Sequence, residues 1–130
     1  MKELLKEAKS VIKNAYVPYS NFRVAAVLKL KNGKTITGVN IENASYGLSN
    51  CAERSALFSA FSKGIKKQDI ETLMIYTDKD YFVSPCGACR QVMNELMEAD
   101  ANVILANSKD EFKKMKNKEL LPAGFSKEDL

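Results

Sequence analysis

The alternation of residue patterns between positions 35 and 106 is the strongest constraint on what this chain folds into. Thr35 to Asn40 is β-rich, Cys51 to Ser62 is rich in Ala, Leu and Phe, Ile70 to Tyr76 is short and apolar, Gly87 to about Glu98 has helical character, and Asn102 to Ala106 is apolar again. Strand, helix, strand, helix, strand is the order that right-handed crossovers give when they join parallel strands. A layered α/β domain follows. A further β-rich run, Arg23 to Leu30, is separated from Thr35 by Lys31-Asn32-Gly33-Lys34, and an Asn-Gly pair between two such runs predicts an antiparallel hairpin.

The chain opens with Leu4, Leu5, Ala8, Val11, Ile12 and Ala15 at helical spacing and Lys2, Glu3, Lys6, Lys9 and Lys13 on the other face, which predicts an amphipathic helix that Pro18 prevents from continuing. Ser49 and Asn50 are N-cap candidates for the helix from Cys51, predicted to be mostly buried, with Gly64 as its stop, and Pro85 sets up the next helix. Residues 110 to 121 suit a helical turn as well as a short edge strand, because Phe112 and Met115 fit either period.

At 130 residues, 45% hydrophobic and 28% charged, the chain reads as one globular domain, 1–130, and not as a disordered one. The net charge of +4 comes from seventeen Lys and three Arg spread along the chain. The Lys109 to Lys118 run is broken by Asp110 and Glu111, so it predicts a solvated face and no nucleic-acid partner. No stretch approaches the roughly 18 apolar residues of a membrane span, and the N-terminus lacks a continuous apolar run, so the expected location is the cytoplasm.

Three cysteines are too few and too odd in number for a secreted disulfide framework, and in a reducing compartment they point to metal or catalysis. They fall in two short motifs, Cys51-Ala52-Glu53 and Pro85-Cys86-Gly87-Ala88-Cys89, each at a predicted helix start. A helix N-terminus presents unpaired N–H groups and partial positive charge, which favour thiolate over thiol. Alone, a CxxC fits a redox pair or half of a structural zinc site. Together the motifs offer three sulfurs, and with no histidine in the chain a tetrahedral zinc ion bound by them keeps one position for water. Glu53, two positions past a ligand, is placed to act as a proton shuttle rather than a fourth ligand. Arg54 is placed to donate to thiolate sulfur and temper its negative charge.

Three longer strings carry a resemblance: Asn40-Ile41-Glu42-Asn43-Ala44, Asn50-Cys51-Ala52-Glu53-Arg54 and Ser84-Pro85-Cys86-Gly87-Ala88-Cys89-Arg90-Gln91. In this order, with Pro18-Tyr19-Ser20 before them and Leu120-Leu121-Pro122 after, the chain resembles the short, homotetrameric cytidine deaminases along essentially its whole length. The resemblance implies a three-layer α/β/α sandwich with a mixed five-stranded sheet, in which 110 to 121 becomes a fifth strand followed by a helical turn. It implies one zinc per subunit on Cys51, Cys86 and Cys89, Glu53 as the catalytic residue, and hydrolytic deamination of cytidine and deoxycytidine with release of ammonia, a step of pyrimidine salvage.

By the same resemblance, Phe22 stacks near the pyrimidine, Asn40, Ile41 and Glu42 bind the ribose end, and the backbone at Ala52 and Ser84 reads the base edge. Tyr46 and Phe125 complete a neighbouring subunit's site, and Gln91 supports Arg54. Arg90, apart from the resemblance, is expected to face outward. Taken by themselves, Asn40 and Glu42 equally fit the end of a strand and the cap of a turn, and Phe22 fits a core position. Three other readings share part of the pattern: a deaminase of another cytosine-bearing compound, a zinc-stabilised binding domain, and an enzyme editing polynucleotides.

Overall fold

The computed structural model describes all 130 residues. Helix α1 spans Lys2–Val11, strands β1 and β2 span Val24–Leu30 and Thr35–Val39, and α2 spans Ala52–Ser62. Strand β3 spans Ile70–Thr77, α3 spans Gly87–Leu96, and β4 and β5 span Asn102–Ala106 and Phe112–Lys116. The strands form one five-stranded sheet in the order β2-β1-β3-β4-β5. Only β3 and β4 pair in parallel; every other neighbouring pair is antiparallel.

The sheet is covered on both faces, which explains why its inner strands read as continuous apolar runs. On β1, Val24, Ala26, Leu28 and Leu30 pack with α2 and α3, while Ala25 and Val27 pack under α1. Strand β3 divides in the same way, with Leu73 and Ile75 on one face and Met74 and Tyr76 on the other. A fully buried Leu such as Leu28 or Leu73 contributes roughly 1.5–3 kcal/mol by leaving water. The edge strands differ: β2 is only partly buried, and β5 carries Lys113, Lys114 and Lys116, charges that discourage pairing with another sheet.

The hairpin forms where Asn-Gly predicts it. Gly33 has a φ of +89°, and Lys34 N donates to Asn32 Oδ1 at 2.9 Å. The crossover reading holds in direction but not in adjacency. Because β1 is antiparallel to both neighbours, β2 and β3 run the same way with β1 inserted between them.

Three local expectations are corrected. Helix α1 gives way to a 3₁₀ turn at Ile12–Asn14, before Pro18 is reached. The N-cap of α2 is Cys51, not Ser49 or Asn50, and Asn50 is already committed to a backbone bridge with Ile41. Helix α2 is buried on one side only, since Phe58 is 46% exposed. The ambiguous stretch resolves as β5 followed by a 3₁₀ turn at Asn117–Glu119.

This topology decides where the chemistry lies. Helix α2 follows β2 and α3 follows β3, and these strands point the same way, so both helix N-termini emerge at one end of the sheet, where open α/β sheets place their ligands. Strand β1 starts at that end, which brings Phe22 there as well. Helix α2 is held close to β2 at Gly38, where a Cβ would lie 2.4 Å from Ala56 N and 2.7 Å from Ala52 O.

Candidate active site

Cys51 and Cys86 occupy the N-cap positions of α2 and α3, both with extended backbone, and Cys89 closes the first turn of α3. The three Sγ atoms lie within 4.8 Å of one another, and Cys51 Sγ is 3.7 Å from Cys86 Sγ. Two sulfurs on a tetrahedral zinc with bonds of about 2.3 Å stand about 3.8 Å apart. The spacing therefore fits zinc, and so does the donor chemistry. Cys89 N donates to Cys86 Sγ at 3.5 Å, as a helix N-terminus does to a thiolate. The Cys51 thiol is drawn down to about 5, because Cys89 and the Arg54 guanidinium both hydrogen-bond to it. Cys89, fully buried, is pushed the other way by its hydrogen bond to Cys51 and by burial.

Arg54, one turn past Cys51, donates from Nη2 to Cys51 Sγ at 3.5 Å. Its Nε is buried and has no hydrogen-bond partner. Glu53 is 4% exposed, an unusual state for a carboxyl in the first turn of a helix. Burial lifts its pKa to about 7, and the neighbouring Cys51 thiolate pushes in the same direction. A carboxyl poised at that value both accepts and releases a proton near neutrality.

Two cavities meet at the sulfurs. The smaller, about 180 Å³, is lined by Phe22, Val24, Asn40, Ala52, Glu53, Val83 and Ser84 together with Cys51 and Cys86. The larger, about 460 Å³, is lined by Asn40, Glu42, Tyr46, Gly47, Ser49, Asn50 and Arg54 with the same two cysteines. The first is chiefly apolar with one carboxyl, and the second is polar. Asn40 stands in both. Phe22 is held by a stack on Tyr81, ring centroids 6.4 Å apart and 27° between planes.

Asn40 and Glu42 are also structural. The Asn40 amide donates to Phe22 O at 2.7 Å and accepts from Val24 N at 2.9 Å, which fixes the entry to β1. The Glu42 carboxylate accepts from Tyr19 N and Ser20 N, each at 3.1 Å, and from the Ser20 hydroxyl. These bonds do not exhaust either side chain. Asn40 keeps one N–H and one lone pair, and Glu42 keeps about one of its four acceptor sites.

The remaining candidates divide. Ile41 lines neither cavity; its backbone exchanges hydrogen bonds with Asn50, and the residue is 49% exposed. Tyr46 borders the larger cavity and is 88% exposed, while Phe125 is 57% exposed and lines neither. Gln91 Nε2 donates to Phe125 O at 3.0 Å instead of reaching Arg54. Arg90 does not point outward; its guanidinium bonds Ser84, Pro85 and Leu120. Sequence reasoning missed Val83 in the smaller cavity and Tyr81 behind Phe22. Their only signal is a place in the loop just before Pro85.

Residues 1–106 match the family model described as the cytidine and deoxycytidylate deaminase zinc-binding region. The chain is 50% identical to a cytidine deaminase of Halalkalibacterium halodurans over 98% of its own length and 95% of the relative's. It is 43% identical to a cytidine deaminase of Sporosarcina psychrophila over 100% of its length and 94% of that relative's. Among solved structures, a cytidine deaminase from Burkholderia pseudomallei superposes with a TM-score of 0.91 at 43% identity, covering 95% of this chain and 98% of that one.

Proposed function

The chain belongs to the zinc-binding cytidine and deoxycytidylate deaminases, and on that premise we propose how its residues divide the hydrolysis of cytidine and deoxycytidine to uridine and deoxyuridine. One observation carries the assignment: a buried carboxyl, Glu53, faces a small apolar cavity floored by thiol sulfurs, and that cavity adjoins a polar one. A nucleoside has the same two halves.

Cys51, Cys86 and Cys89 would hold the zinc, and the bound ion supplies a Lewis acid that activates water at neutral pH. The base enters the smaller cavity against Phe22, with the Ala52 and Ser84 backbones at its polar edge. Glu53 takes the proton released as water adds to C4 of the cytosine ring and gives it to the adjacent ring nitrogen. The same carboxyl then takes the proton of the new C4 hydroxyl as the carbonyl forms and delivers it to the exocyclic amine, whose bond to C4 breaks so that it departs as ammonia. Water is consumed and no organic cofactor is needed. Burial keeps bulk water from competing for the carboxyl's proton.

In the larger cavity, the free donor and acceptor of Asn40 and the remaining acceptor site of Glu42 suit sugar hydroxyls. The Glu42 carboxylate repels phosphate, which favours a free nucleoside over a nucleotide. Arg54 steadies Cys51. Residues 1–130 serve as one catalytic unit in this reading, supported by the single sheet that both cores share.

A homotetramer is part of the proposal. Its support is the resemblance to the homotetrameric deaminases and the exposure of Tyr46, Leu48 and Phe125, large apolar side chains that a neighbouring subunit would cover. No helix is long and apolar enough to cross a membrane, and three free thiols suit a reducing cytoplasm.

Loss of ultraviolet absorbance on adding cytidine tests the function directly. The purified protein should convert cytidine and deoxycytidine, lose this activity to a chelator, and leave cytidine monophosphate largely untouched. Absence of conversion by zinc-replete protein would refute the reading. Sedimentation analysis tests the assembly, with the mass of four chains expected.

A further inference from the structure

Arg90 lies immediately after Cys89, lines neither cavity and makes no hydrogen bond to a sulfur. Its guanidinium nevertheless makes three hydrogen bonds. Nε donates to Pro85 O at 2.8 Å, Nη2 to Ser84 Oγ at 2.5 Å, and Nη1 to Leu120 O at 2.9 Å. Its backbone N–H adds a fourth, to Cys86 O at 2.9 Å. Two of the side-chain acceptors belong to the residues directly before Cys86, the segment that forms the wall of the smaller cavity. The third belongs to the C-terminal segment. That segment is pinned to the same helix by Gln91 and Asn94, which both donate to Phe125 O at 3.0 Å.

We propose that Arg90 is a positioning residue: it clamps the Ser84–Pro85 wall of the base cavity to the C-terminal segment and thereby sets where the base edge and Cys86 stand. The residue type suits the task. A guanidinium is a rigid plane with five donors, so three acceptors fixed to it are fixed to one another. A lysine ammonium on a flexible stem can reach one or two of them but cannot hold the plane. Apart from the Tyr81–Phe22 stack, the loop before Pro85 has little else to restrain it, since the backbone of residues 81 to 84 makes no hydrogen bond. Displacement of a positioning wall by about 1 Å is enough to cost ~10²-fold in rate.

The proposal rests on the nucleoside reading only for its kinetic arm, so the test has two arms. The first is amide hydrogen exchange at Cys89 and at residue 90, whose N–H groups donate to Cys86 Sγ and Cys86 O, in Arg90→Ala and Arg90→Lys, which needs neither substrate nor turnover. Exchange there should quicken at least tenfold in Arg90→Ala and by less in Arg90→Lys, with β3 and β4 unchanged. The second arm is steady-state kinetics on cytidine, well below the melting temperature and at full zinc occupancy. KM should rise about tenfold in Arg90→Ala, kcat should change less, and Arg90→Lys should recover part of the loss. Should Arg90→Ala fail to fold, Arg90→Lys alone decides both arms. A lowered melting temperature with unchanged local exchange and unchanged KM would overturn the proposal and leave Arg90 a plain structural tie. Quickened exchange without any cytidine turnover by the wild-type protein would uphold the clamp and count against the nucleoside reading.

Discussion

Arg54 Nη2 reaches Cys51 Sγ at 3.5 Å while Arg54 Nε, buried beside it, has no partner. A buried guanidinium N–H without an acceptor is costly, and the proposed return is the hydrogen bond to the sulfur. Three thiolates outweigh the charge of a zinc ion and reduce its power as a Lewis acid; hydrogen bonds to sulfur restore some of it. Arg54→Ala should lose about 10–100-fold in activity or metal affinity, the range seen when a partner of a metal ligand is removed. Turnover measured beside zinc content decides it, and unchanged values of both would remove the role.

Glu53→Gln tests the shuttle with the least structural change. The amide fills the same space and, being neutral, is no harder to bury. The variant should keep its fold and its zinc while kcat falls about 10²–10⁴-fold, the span of general acid–base catalysis. Circular dichroism, metal analysis and the cytidine assay on one preparation check the three parts.

The Glu42 carboxyl is held below its ordinary value chiefly by the Ser20 hydroxyl, assisted by the N–H groups of Ser20 and Tyr19. A depressed pKa means that the charged, acceptor form persists as pH falls and is lost only below the lowered value. Ser20→Ala removes the largest cause, so the acid limb of kcat/KM that belongs to Glu42 should move to higher pH. At neutral pH the carboxylate stays charged, and the variant should differ little. A limb that does not move would separate Glu42 from ribose binding.

Gly38 sets the distance between β2 and α2, and α2 carries Glu53 with Cys51 at its cap. Gly38→Ala places a methyl group against the backbone of Ala52 and Ala56, atoms that cannot swing away. Overpacking of this kind costs typically 1–3 kcal/mol, so the denaturation midpoint should fall. Activity should fall with it at temperatures where the variant is folded, because the helix that yields is the one holding the carboxyl.

Much of this was legible from residue patterns because the determinants are local. The Asn32-Gly33 turn, the apolar runs of β1, β3 and β4, and the cysteine motifs at helix starts all depend on neighbours close in the chain. The insertion of β1 between β2 and β3 depends on long-range pairing that no local pattern encodes. Cys51 displaced Asn50 as the cap because Asn50 is tied by its backbone to Ile41, a contact made by the folded loop. The partners of Arg90 and Gln91 are hidden from the sequence for a related reason. Helical spacing tells which way a side chain leaves the helix, but their acceptors, the Leu120 and Phe125 carbonyls, come from a segment about 30 residues further on.

In the proposed site, Cys51, Cys86 and Cys89 hold one zinc ion and leave a coordination position to solvent. X-ray absorption at the zinc edge measures this without reference to activity. One zinc per chain is expected, with three sulfur neighbours at about 2.3 Å and one oxygen neighbour at about 2.0 Å. A fourth protein ligand in the oxygen's place, or folded protein that takes up no zinc, would contradict it.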